Sequence, residues 1–231
     1  MKVTLFMLMS LDGKISTGSS DKRDVDKDFL KINGVKEGLS QYYELEQKTD
    51  LHSLNTGKVM AKLGINKAKH IEKTPVSFII VDNKNLTKRG VLNLIKKSKI
   101  LYLVTANKNH PALKIKRRDA PSLETLYYKS KKGINFPHLF ETLEKNFNVS
   151  KVTVQSGGTL NSILIREGLI DRISVVVTPC VIGGKETSTL VDGKSIINNS
   201  DLKLIKSLEL VKVKKLKNSY LNLIYDVKNG K

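Results

Sequence analysis

The sequence predicts an α/β fold with a mostly parallel central sheet, flanking helices and a C-terminal antiparallel hairpin. Three observations carry this. Short β-branched runs at 76–81, 100–105 and 173–178 are separated by segments with helical apolar spacing. Strands joined through helices pair in parallel and are covered on both faces. The closing stretches 202–215 and 219–227 alternate apolar and polar residues around Lys217 and Asn218, the pattern of a hairpin.

The first predicted strand is 3–9, and Asp12-Gly13-Lys14 is a turn. Residues 18–28 read as a polar loop. Leu39, Tyr42, Tyr43 and Leu45 recur at helical spacing, which predicts a helix over 36–48. A short buried strand at 50–54 leads through Asn55-Thr56-Gly57 into a short helix at 58–63. The strand at 76–81 is followed by a helix at 91–97 and a strand at 100–105. His110-Pro111 and Ala120-Pro121 make 106–122 a loop, and 126–128 is a short strand. Leu139, Phe140, Leu143 and Phe147 share one face of a helix at 136–147. A strand at 152–154 ends in Gln155 and Ser156. Gly157, Gly158 and an amphipathic helix closed by Gly168 follow. The strand at 173–178 precedes a second glycine pair, Gly183-Gly184. No linker or repeat divides the chain, so 1–231 reads as a single domain.

Composition narrows the function. Apolar residues make up 39% of the chain, enough for a core, and no apolar run reaches membrane-spanning length. Residues 1–9 read as a core strand rather than a signal peptide, and the protein as cytoplasmic. A single cysteine, Cys180, excludes an intramolecular disulfide and a cysteine metal cluster. His52, His70, His110 and His138 lack ligand spacing, so no metal is expected. The formal charge of +19 invites a nucleic-acid reading. The lysines, however, are spread along the chain and interleaved with acids. They read as solvated faces that attract small anions, with no nucleic-acid or membrane partner.

Three polar clusters fall at the ends of predicted strands, where open α/β sheets bind ligands. They are Ser10–Ser16 (SLDGKIS), Asn55–Met60 (NTGKVM) and Gln155–Leu160 (QSGGTL). In the last, a helix start offers unpaired N–H groups and a positive dipole end, and glycines allow a phosphate close to the backbone. The same glycines also suit an ordinary strand-to-helix turn. Asp12-Gly13-Lys14 suits a substrate contact and equally a β-turn with a solvated lysine.

SLDGKIS together with QSGGTLNSILIREGLIDRISVVVTPCVIGG resembles the reductase domain of riboflavin biosynthesis, the C-terminal domain of bacterial deaminase-reductases. That domain has the dihydrofolate-reductase-like fold. The resemblance follows the whole chain in order of elements and is most specific in the late segment. It implies an NADPH-dependent reductase, usually a homodimer. Such an enzyme passes hydride to a C=N or C=O of a pyrimidine or pteridine-like substrate, as in 5-amino-6-(5-phosphoribosylamino)uracil reductase. Carried over residue by residue, Gly157, Gly158, Thr159 and Leu160 receive the cofactor's pyrophosphate. Gly13, Gly57, Lys58, Asn83 and Thr105 complete the cofactor contacts, with Lys58 placed to meet the 2′-phosphate. Lys14 and Asp12 are the catalytic candidates, and Lys14 and Gln155 the substrate contacts.

The chain departs from the family at three places. Gln155 stands where the pathway enzymes carry Glu, and Met60 stands near a usual Thr. An Asp-Asp-Pro segment with a following Arg is replaced by LGINKAKHI at 63–71. These departures leave as alternatives a reductase of another substrate or a non-catalytic nucleotide-binding module.

Overall fold

The computed structural model describes residues 1–130 and 133–228. Its strands are β1 (Lys2–Ser10), β2 (His52–Thr56), β3 (Ser77–Val81), β4 (Leu101–Thr105), β5 (Leu123–Tyr127), β6 (Lys151–Val154), β7 (Arg172–Thr178), β8 (Ser207–Lys215) and β9 (Leu221–Lys228). Its α-helices are α1 (Val25–Asp28), α2 (Ser40–Glu46), α3 (Gly57–Lys62), α4 (Lys88–Lys97), α5 (Phe136–Phe147) and α6 (Gly158–Arg166). The chain packs as two compact units. One holds Met1 and 50–156, the other 2–49 and 157–231. The second unit is built from two separated stretches of chain, so no linker marks the division.

In the 50–156 unit, five strands pair in parallel in the order β5-β4-β3-β2-β6. β4 is buried along its whole length, as its continuous apolar run requires. Ile80, Leu86, Val91, Leu94, Leu101, Leu103 and Leu123 form one apolar cluster in which Met60 is also buried. α5 occupies the predicted span. It starts at an Asn135 cap and stops at Asn148, whose left-handed φ of 55° turns the chain.

Several boundaries shift for local reasons. β2 runs over His52–Thr56 rather than 50–54, and α3 begins at once because the Thr56 hydroxyl caps Val59 N–H at 3.3 Å. α4 starts three residues before the predicted 91 because Thr87 caps Gly90 N–H at 3.1 Å. β5 covers Leu123–Tyr127 rather than 126–128. The 106–122 loop contains 3₁₀ turns at Pro111–Lys114 and Arg117–Asp119.

In the other unit, β1 pairs with β7 in parallel, β9 runs antiparallel to β7, and β8 pairs antiparallel with β9. The C-terminal hairpin is therefore present as expected. Its first strand begins at Ser207 rather than 202, because Asn198 and Asp201 form a reciprocal capping box that starts a 3₁₀ turn at Asn199–Leu204. Phe6 stacks on Tyr42 at 5.2 Å, and fully buried Tyr220 donates its hydroxyl to the Val35 carbonyl at 2.6 Å. β8 is exposed at every residue. Among the described residues, no helix is long and apolar enough to cross a membrane.

Candidate active site

The candidate residues of the 50–156 unit gather at the C-terminal ends of β2, β3 and β4, where parallel sheets present their loops. Gly57 opens α3 against the side chain of Asp82, the residue after β3. A Cβ at position 57 would lie 2.5 Å from the Asp82 Cβ, so only glycine fits. Lys58 is exposed on the first turn of α3. Asn83 and Thr105 meet: the Asn83 amide oxygen accepts from Thr105 Oγ1 at 3.1 Å and from Ala106 N–H at 2.7 Å. Asn107 Nδ2 donates to the Asn83 carbonyl at 2.6 Å. At the end of β6, the Gln155 amide oxygen accepts from Ser53 Oγ at 3.3 Å.

Sequence reasoning passed over the centre of this group. Asp82 and His110 are wholly buried and joined at 3.0 Å between Asp82 Oδ2 and His110 Nε2. Burial pushes the Asp82 carboxyl up, but hydrogen bonds from His110, Asn85 and Leu86 outweigh it and hold the pKa at about 2. The available signals were an aspartate directly after a β-branched strand and a histidine directly before Pro111. Neither carries a recognisable motif.

In the other unit, the Asp12-Gly13-Lys14 turn holds down the chain from Ile182 to Leu190. Asp12 accepts from Ser10 Oγ at 2.5 Å and from the N–H groups of Ile182 and Gly183 at 3.1 and 2.7 Å. Gly13, with φ of 75°, makes the turn possible, and its carbonyl accepts from Leu190 N–H at 2.9 Å. Lys14 Nζ donates to the carbonyls of Gly184 and Thr187 at 2.8 and 3.0 Å. The same segment then meets the start of α6. Asp192 N–H donates to the Gly158 carbonyl at 3.0 Å, and buried Asn161 donates to the Leu190 carbonyl at 2.9 Å.

This geometry revises three expectations. The Ser10 hydrogen bond, with those of Gly183 and Ile182, lowers the Asp12 carboxyl from 3.8 to about 2. Through these hydrogen bonds Asp12 anchors the 182–183 backbone. Lys14 has two of its three donors on backbone carbonyls, which makes it an anchor of the same segment. The two glycines of the α6 turn differ. Nothing lies within 4 Å of a Cβ at Gly157, whereas one at Gly158 would sit 2.5 Å from Asp192 Oδ2. The second glycine thus admits the 189–192 segment, and the first faces open space. Thr159 is exposed on the first turn of α6, while the Leu160 side chain is buried.

The lowered Asp12 pKa gives a sign. A carboxyl depressed in the folded state stabilises above its unfolded value near 3.8, and that contribution is lost as pH falls through about 2. Protection of the Ile182 and Gly183 amides, taken relative to their intrinsic exchange rates at each pH, is therefore expected to fall over that window in the native protein but not in Asp12→Asn. Equal behaviour of the two proteins would contradict the anchoring role.

Parallel strands, helix starts at strand ends and a closing hairpin define a dihydrofolate-reductase-like α/β protein. The chain belongs to the RibD C-terminal domain family, whose model matches residues 1–221. Its named relatives are reductases, and the chain is an oxidoreductase of that family. It is 26% identical over 211 residues to the 2,5-diamino-6-ribosylamino-4(3H)-pyrimidinone 5′-phosphate reductase of Methanothermobacter thermautotrophicus, covering 86% of this chain and 87% of that one. Among solved structures it is similar to RibD of Acinetobacter baumannii, with TM-score 0.64 and 16% identity over 99% of this chain and 58% of that one. It is also similar to dihydrofolate reductase from Enterococcus faecalis complexed with NADP(H), with TM-score 0.51 and 10% identity over 99% of this chain and 97% of that one. The chain thus spans most of the archaeal reductase and somewhat over half of RibD.

Proposed function

We propose that the chain is an NADPH-dependent pyrimidine reductase of riboflavin biosynthesis, and that its substrate is 2,5-diamino-6-ribosylamino-4(3H)-pyrimidinone 5′-phosphate. One observation carries the choice of substrate over the deaminated uracil expected from the sequence. The relative matched along 87% of its own length is named for the diamino compound. Neither a reductase of an unrelated substrate nor a non-catalytic nucleotide-binding module is favoured.

The residues fit a dinucleotide. Gly157 leaves open space at the start of α6, and no side chain caps that end of the helix. A phosphate is stabilised by such N–H groups and by the helix dipole. In this reading Gly157, Gly158, Thr159 and Leu160 contribute backbone N–H groups to the diphosphate. Lys58 pairs with the 2′-phosphate, while Gly57, Asn83 and Thr105 shape the nucleotide end. Bound NADPH supplies the hydride. Gln155, an amide that both donates and accepts, orients the pyrimidine without changing its protonation. Gly13, Asp12 and Lys14 act by fixing the 182–190 segment. In this reading the proton that completes reduction is taken from water or the substrate. The reading also includes a homodimer working in the cytoplasm, consistent with a single cysteine and a β8 whose residues are all exposed.

Steady-state assays with each pyrimidine test this. NADPH is expected to be consumed with the diamino compound and much more slowly with the deaminated one. The reverse preference would overturn the substrate, and no consumption with either would overturn the reductase reading.

A further inference from the structure

We propose that Asp82 and His110 are positioning residues that lock the loops carrying the nucleotide end of the cofactor. The proposal rests on the assignment of Gly57, Lys58, Asn83 and Thr105 to that cofactor. The Asp82 side chain is shared by the connections that follow three strands. The β2–α3 junction brings Gly57 against it, close enough to forbid a Cβ. The loop after β3 folds back through Asn85 N–H at 3.0 Å, Asn85 Nδ2 at 2.8 Å and Leu86 N–H at 2.9 Å. The loop after β4 reaches it through His110 Nε2 at 3.0 Å.

The loops after β3 and β4 are joined twice. One join is partly exposed: Asn83 bonds Ala106 and Asn107 at the surface and the hydroxyl of buried Thr105 beneath. The other is the buried Asp82–His110 pair. Water competes for the exposed hydrogen bonds but not for the buried one, which is stronger in its low-dielectric surroundings. A buried carboxylate also tolerates no lost donor. The buried pair therefore sets the spacing of the two loops, and Asn83 and Thr105 follow it.

The histidine makes two contacts that can be separated. Its Nδ1 accepts from Ala112 N–H at 3.2 Å, which leaves Nε2 as the nitrogen that donates to Asp82. His110→Gln keeps a donor near the Nε2 position. His110→Asn keeps an acceptor near Nδ1 but falls short of Asp82. The glutamine variant is expected to keep the KM for NADPH within about twofold of the unaltered protein. The asparagine variant is expected to raise it about tenfold or more, with kcat and the pyrimidine KM little changed. In the cofactor-free protein, exchange of the Ala106 amide should accelerate in His110→Asn and not in His110→Gln. Rescue by asparagine instead, or equal effects of the two variants, would reduce His110 to a cap on the 111–114 turn and overturn the proposal. The exchange order read without cofactor, together with an unmoved KM for NADPH, would overturn the cofactor assignment of these loops. Absence of NADPH turnover by the unaltered protein is the separate failure of the functional reading.

Discussion

Gly158→Ala is expected to destabilise the protein by about 1–3 kcal/mol, the usual cost of forcing an extra methyl into a packed site. The new Cβ would press on the carbonyl oxygen of Thr189 and lie 2.5 Å from Asp192 Oδ2. Neither neighbour can yield freely. The Asp192 carboxylate accepts from Thr189 N–H at 3.0 Å and from Thr189 Oγ1 at 2.6 Å, and Asp192 N–H holds the Gly158 carbonyl. Relief would require the 189–192 segment to leave the start of α6. The midpoint of urea unfolding should therefore fall. An unchanged midpoint would mean that this segment does not pack on Gly158.

Gly157→Asp is expected to do the opposite, leaving stability near that of the unaltered protein while weakening NADPH binding about tenfold or more. The backbone at Gly157 has φ of −75° and ψ of 158°, an extended conformation open to any residue, and a Cβ there meets nothing within 4 Å. Aspartate is also a favoured helix cap, so α6 should not suffer. The carboxylate would occupy the helix-start N–H groups and repel a phosphate. Two like charges about 4 Å apart interact by roughly 1 to 4 kcal/mol between bulk water and a protein surface, and about 1.4 kcal/mol is tenfold in affinity. Calorimetric titration with NADPH checks this. An affinity equal to that of the unaltered protein would place the diphosphate elsewhere.

The fold was largely legible because its signals are local. The β-branched runs that became β3, β4 and β7, the one-sided apolar face of α5 and the alternation in β9 each report their element directly. Boundaries moved where a single hydroxyl decided them, as with Thr56 and Thr87. The site was legible in location but not in role. Asn83 and Thr105, far apart in sequence, do meet. By contrast, Asp12, Lys14 and Gly158 take their roles from a partner more than thirty positions away, the 182–192 segment, which sequence spacing does not reveal. Asp82 and His110 escaped notice for the same reason. Each is an ordinary loop residue until tertiary packing buries it against the other.

The most direct test of the account is to follow hydrogen from cofactor to product. The purified protein would be given NADPH deuterated at its transferable position together with the diamino pyrimidine phosphate, and the product weighed by mass spectrometry. The account predicts a ribitylamino product carrying one deuterium for each NADPH consumed. A pyrimidine recovered without deuterium, or NADPH left unconsumed, would contradict it.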